Sequence, residues 1–241
     1  MIAEQLQAAV VEAKEEVDRL YRQEALKYWA KLRNYVEKNK DKIHKRPRHP
    51  QFGGFVISPQ NLRVAKQYPD LYIVLAHEDQ RAGMGRPRSG GGRVMVLPVL
   101  KAPFDTTYVA TRMAGVEKVF LHEFIHYLDQ HRYKGKAPES VALLRKHGMA
   151  GYYNSPSEFN AYYQEAANEI LSTLRTIKKY AEPQKPGTLA SFIRDYSTFE
   201  KRFLVPPYFA EGFLTALNDK YRKKLVQRLY GLYVEVKKEM G

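Results

Sequence analysis

The sequence predicts an α+β fold, a small mixed or antiparallel sheet around a buried helix, extended by helices at both ends. Three observations carry this. Apolar residues recur at helical spacing towards both termini. Short β-branched and aromatic runs, Phe52 to Ser58, Leu71 to Ala76 and Arg93 to Leu100, lie between them. One segment, Val119 to Asp129, is apolar nearly all round a helix, the mark of a buried element. With 241 residues, 44% of them hydrophobic, the chain can bury one substantial core. The predicted organisation is an N-terminal amphipathic helix over 1–40, a core over 41–180 and a helical region over 181–241.

From Ala3 to about Asn39, Leu6, Val10, Ala13, Val17, Leu20, Tyr28, Leu32 and Tyr35 fall mostly three or four apart with charges between them, so one long amphipathic helix is expected. Pro47 and Pro50 end it, and the charges from Lys42 to His49 keep that stretch solvated. The loop from His77 to Gly92 mixes five glycines with Arg81, Arg86 and Arg88 but lacks phosphate-loop spacing, and reads as a mobile basic flap. Pro98 cannot donate to a ladder, which points to an edge strand over Arg93 to Leu100. Such an edge would offer Arg93, Val94, Met95, Val96 and Leu97 to the backbone of a protein or peptide substrate by strand addition. A loop after Asp105 should lead into a helix from about Gly115 to His131, followed by a short helix from Pro138 to Lys146. A longer one opens at Ser155 and runs to about Tyr180. Two or three more follow, the last carrying Leu217, Tyr221, Leu225, Leu229 and Val236 on one face.

Composition narrows the chemistry. Without cysteine there are no disulfides, thiolate nucleophiles or Cys-ligated zinc, so any metal must use His and carboxylate. No secretory or membrane-spanning run is visible, and a soluble cytoplasmic protein, or one carried in a virion, is expected. The net charge of +14 favours an acidic partner such as nucleic acid, and no membrane partner is expected.

The buried helix carries His122-Glu123-Phe124-Ile125-His126. On a helix this spacing sets both imidazoles one turn apart on one face, where they can chelate one zinc ion, with Glu123 beside the metal as general base for an activated water. Chance alone would produce the motif in such a chain about one or two per cent of the time. A catalytic zinc takes a third protein ligand. Six residues after His126 stands Arg132, a cation, which removes the metzincin spacing. His147, in Arg145-Lys146-His147-Gly148, resembles the third histidine of SprT-like proteases, which act on proteins crosslinked to DNA. Glu158 is the other candidate, at the head of the next helix in Pro156-Ser157-Glu158-Phe159-Asn160-Ala161.

This pair of motifs resembles the gluzincin type of zincin-like metallopeptidase, and the stretch from Ser155 to Tyr162 is similar to small metallopeptidase-like proteins of phages and bacteria. The resemblance covers roughly residues 50 to 180. It implies an active-site helix and a glutamate helix under a small sheet, a zinc cofactor on His122, His126 and Glu158, and zinc-dependent hydrolysis of peptide bonds. Ser155, Pro156 and Glu158 also spell a helix capping box, in which Glu158 would satisfy its own helix terminus and leave Glu165 or His147 to the metal. Asp129, one turn past His126, suits a histidine-orienting carboxylate. Tyr162 and Tyr152 are candidate donors to a developing oxyanion. The alternative functions are a basic nucleic-acid-associated or virion structural protein with a structural or vestigial zinc site, and a DNA-associated SprT-like protease using His147.

Overall fold

Continuous helical spacing without an internal proline makes the first element one long helix, α1 (Ile2–Asn39), which passes into a 3-10 turn at Lys40–Lys45 ahead of Pro47. The computed structural model describes residues 2–85, 92–101, 105–132 and 140–240. These divide into two units, one of Gln23–His131 and the other of Met1–Arg22 with Arg132–Gly241. The architecture is mixed α and β, and among the described residues no helix is long and apolar enough to cross a membrane.

In the unit Gln23–His131, β1 (Phe55–Ile57), β2 (Leu71–His77), β3 (Gly83–Gly85) and β4 (Arg93–Leu100) form a mixed sheet in the order β1-β2-β4-β3. β2 and β4 run parallel, and the outer pairs are antiparallel. Residues alternate between two buried faces. Leu71, Ile73, Leu75, Met95, Leu97 and Val99 enter the main core, while Val74, Ala76, Val94 and Val96 pack with Phe52, Val56 and Tyr72 on the other face. That is why these strands read as unbroken apolar runs. Gly54 permits the entry to β1, since a Cβ there would lie 2.2 Å from the Leu75 carbonyl oxygen.

Two expectations are corrected here. The strand β3 was not anticipated in the glycine-rich loop, and it makes β4 internal over Val94–Val96, with β2 on one side and β3 on the other. Pro98 is accommodated because the three-residue β3 stops short of it and because the β2–β4 ladder shifts register between Ala76 and His77. The strand-addition site along Arg93, Val94, Met95, Val96 and Leu97 therefore loses its free edge, and all five side chains are buried. The rest of the basic flap, 86–91, lies outside the described residues. The second correction concerns the approach to the histidine helix. The chain after Asp105 is a helix, α2 (Thr106–Gly115), whose start is fixed by Asp105 accepting from the Tyr108 backbone N–H at 3.2 Å. The histidine helix, α3 (Glu117–Arg132), begins directly afterwards.

Aromatic packing joins α1 to α3. Tyr28 lies 4.9 Å from Phe124 and Trp29 5.0 Å from Phe120, ring centre to ring centre, and the Trp29 indole donates to Glu117 at 2.9 Å. Tyr28, Leu32, Phe120, Phe124 and Tyr127 are each less than 2% exposed.

The other unit is helical: α4 (Ser140–Tyr153), α5 (Pro156–Thr176) with a π turn at Ile177–Ala181, α6 (Thr188–Ile193), α7 (Tyr196–Phe203), α8 (Glu211–Ala216) and α9 (Asp219–Met240). That is more helices than the two or three expected after residue 181. Pro138 and Glu139 lie outside the described residues. Tyr221, Leu225, Leu229 and Val236 of α9 share the core with Phe159, Tyr163, Ile170, Phe199 and Phe213, as their spacing predicted, and Leu217 joins them from the extended end of α8 rather than from the last helix. Over 18–22 α1 departs from its pattern, because Leu20 is exposed whereas Asp18 and Arg22 are buried. They are buried in a polar network. Arg228 donates to both oxygens of Asp18 and to Asn160, Gln164 donates to Asp18 at 2.8 Å, and Arg22 reaches Gln164 and Glu235. The Arg228 guanidinium also sits 3.8 Å from the centre of the Tyr163 ring.

Removing one partner of a buried ion pair leaves the other charge uncompensated, at a cost of about 3–5 kcal/mol, whereas replacing both with apolar groups is far less damaging. Asp18→Ala is expected to lose stability on that scale in urea unfolding, and Asp18→Leu/Arg228→Met to recover most of it. A loss under about 1 kcal/mol for the single variant would show that the pair is not a buried, coupled one.

Candidate metal centre

The polar notch of α3 has the geometry its spacing predicts. His122 and His126 stand one turn apart, 9% and 6% exposed, with ring centres 4.8 Å apart and planes at 78°. Their Nε2 atoms face each other at 3.1 Å. Two imidazoles sharing a tetrahedral zinc at bond lengths of about 2.0–2.1 Å would hold their nitrogens about 3.3–3.4 Å apart. The pair is thus close to a chelating arrangement. Glu123, on the next position of the helix, is half-buried rather than enclosed. Asp129, one turn beyond His126, is buried on the same helix.

A brace within the sheet unit holds the last turns of α3, and the sequence offers no sign of it. The Tyr127 hydroxyl donates to Asp70 at 2.7 Å, and the Arg93 guanidinium lies 5.3 Å from the Tyr127 ring centre and 3.4 Å from its carbonyl oxygen. Burial, and then the hydrogen bond to the Asp70 carboxylate, push the Tyr127 hydroxyl well above the usual tyrosine range, so it remains a donor. Arg93, expected to meet substrate, instead fastens the residue next to His126. Only the pairing register of β2 and β4, which sets Leu71 opposite Arg93, brings Asp70 and Arg93 together.

On α5 the capping question has a local answer. Ser155 at the N-cap accepts the Glu158 backbone N–H at 3.3 Å, with Pro156 in the first turn. A full capping box would have the Glu158 carboxylate accept the Ser155 N–H in return. That N–H goes to the Tyr152 carbonyl oxygen, at 3.0 Å. The serine therefore caps the helix, and the carboxylate of Glu158, 4% exposed, is not consumed by the box. A buried carboxylate is costly unless cations or donors surround it.

His122, His126 and Glu158 are a group that could hold a metal ion, each offering one ligand atom, all within 4.8 Å of one another. Two imidazole nitrogens and a carboxylate oxygen are a donor set that divalent transition ions accept, zinc and iron among them. His147, the alternative third ligand, is exposed on α4 and lies outside this group, as does Glu165. Tyr162 follows Glu158 by one turn, but its ring is stacked on Phe213 at 5.2 Å and packed edge-on to Tyr153. Burial, then Tyr153, then Glu158 and Glu165 raise its hydroxyl above the usual range. Tyr152 packs against Tyr153 at 5.5 Å.

Ser155→Ala should cost about 1 kcal/mol of stability through the lost cap and leave metal content unchanged. Glu158→Gln should keep the cap, which uses only its backbone N–H, and lose the metal. Mass-spectrometric metal analysis of both variants decides this, and stoichiometric metal in Glu158→Gln would remove it from the ligand set.

Comparison with known proteins supplies no family, since no family model, curated protein or solved structure matches the chain.

Proposed function

We infer that the chain is a zinc-dependent peptidase of zincin-like, gluzincin-type architecture, with His122, His126 and Glu158 as ligands and Glu123 as general base. The observation that carries this reading is the grouping of two imidazoles from one buried helix with the Glu158 carboxylate, each offering one ligand atom within 4.8 Å of the others. The donor set fits the ion. Zinc held there would polarise a scissile carbonyl and acidify a water near neutral pH. Glu123, next to His122 and half-buried, would take a proton from that water and hand it to the departing amine. Asp129, buried one turn beyond His126, would be the carboxylate that takes an imidazole's second N–H in the metal-bound site. Tyr152 or Tyr162 donates to the developing oxyanion. The mixed sheet, the histidine helix and the glutamate helix are the elements such a fold uses.

Glu123→Gln keeps the side chain's size and removes its basicity. It should retain stoichiometric zinc while proteolysis of a denatured protein mixture falls by about 10²–10⁴, the usual contribution of general acid–base catalysis. Full turnover in Glu123→Gln would refute the mechanism. Stoichiometric zinc with no proteolysis in the wild type would leave a structural site and refute the activity. Tyr162→Phe against Tyr152→Phe identifies the oxyanion donor: the true one lowers kcat with little change in KM.

A further inference from the structure

The charge of the sheet unit is concentrated in a way the metal site does not use. Residues 27–48 hold nine Lys and Arg against Glu37 and Asp41, a net charge of +7, half of the chain's +14 in 22 residues. The apolar side of this stretch, Tyr28, Trp29, Leu32, Val36 and Ile43, is buried, so its cations lie outward. Lys27, Lys31 and Lys38 recur at helical spacing along about 16 Å of α1, and Lys42, Lys45 and Arg48 continue past its end, all six exposed. Among the described residues only Lys40 of the nine is in an ion pair, with Glu37 at 2.9 Å.

The segment after α1 is held to a frame. The Arg46 N–H bonds the Ile43 carbonyl at 2.9 Å, the Val56 N–H bonds the Pro47 carbonyl at 2.9 Å, and Arg48 makes an antiparallel bridge with Phe55 beside β1. Arg46 and Arg48 lie 5.5 Å from the ring centres of Tyr35 and Phe55. Guanidinium groups held by aromatic rings lose less freedom on meeting a planar anion, and their forks suit phosphate oxygens.

We propose that this face, from Lys27 to Arg48, binds the phosphate backbone of nucleic acid without reading sequence. A row of unpaired cations matches a linear polyanion, whose binding needs phosphates neutralised and counterions released. An anionic membrane surface would also attract this charge, but firm seating on it draws on inserted apolar side chains, and a protein partner on an apolar centre. The exposed large hydrophobic residues all lie outside 27–48.

The test uses the full chain, fluorescein-labelled single-stranded and duplex DNA oligonucleotides, and anisotropy titrations over a salt series. Lys42→Gln/Lys45→Gln/Arg48→Gln should weaken binding by about tenfold or more and flatten the slope of log K against log salt by about 2, since each phosphate contact contributes about 0.7–0.9. Lys27→Gln/Lys31→Gln/Lys38→Gln makes the same prediction independently. The control Lys220→Gln/Lys223→Gln/Lys237→Gln removes equal charge from exposed positions of α9 and should leave the slope near wild type. Equal losses in all three triples would reduce the effect to net charge and overturn the proposal. Wild-type binding to phosphatidylserine vesicles but not to DNA would overturn it as well.

Discussion

The sheet unit depends on how an otherwise apolar helix carries two buried imidazoles. Phe120, Leu121, Phe124, Ile125 and Tyr127 are each under 5% exposed, so α3 is committed to the interior on most of its circumference. Its histidines go inside with them. Burying polar groups stabilises nothing by itself and costs free energy for each unmet donor or acceptor. A cation shared by nitrogen and oxygen ligands could answer three buried polar groups at once, and Glu158 offers the third ligand atom of that group.

The rest of the sheet unit reads as support for that helix. Its rotation is set by rings, Tyr28 and Tyr68 against Phe124 and Trp29 against Phe120, and by the Trp29–Glu117 hydrogen bond at its start. Its far end is tied by Tyr127 to Asp70, just before β2, and to Arg93, the first residue of the parallel strand β4. An imidazole moves with its backbone. Constraints at both ends of α3 therefore fix where the two Nε2 atoms fall, which is the preorganisation that a metal site requires of its support.

How much of this was legible in the sequence follows from the range of each interaction. Local signals were readable: the helical spacing of α1, the apolar runs of β2 and β4, the proline and serine that open α5, and the histidine spacing, which is helix geometry alone. Features that need a distant partner were not. A three-residue strand of Gly83, Met84 and Gly85 has no β propensity to announce it, and it forms because β4 offers an edge, which then makes β4 internal in spite of Pro98. Leu20 fitted the apolar stripe, yet Asp18 and Arg22 are the buried residues, because Arg228 and Gln164 satisfy them across more than a hundred residues of chain. A hydrophobic pattern cannot report a buried side that is held by ion pairs.

Glu158 shows how two readings of one residue can be separated by hydrogen-bond accounting. Its sequence context supports a cap and a ligand equally, and the N-terminus of α5 favours an anion in either role, by about 0.3–1 kcal/mol. Each orphan N–H of the first turn can be assigned once. The Ser155 hydroxyl takes the Glu158 N–H, the Tyr152 carbonyl takes the Ser155 N–H, and the Ser155 carbonyl takes the Phe159 N–H. With those donors engaged, the Ser155 N–H is not the partner of the Glu158 carboxylate, and the reciprocal half of a capping box is not made. The serine alone caps the helix, and the ligand role proposed for Glu158 rests on its grouping with His122 and His126.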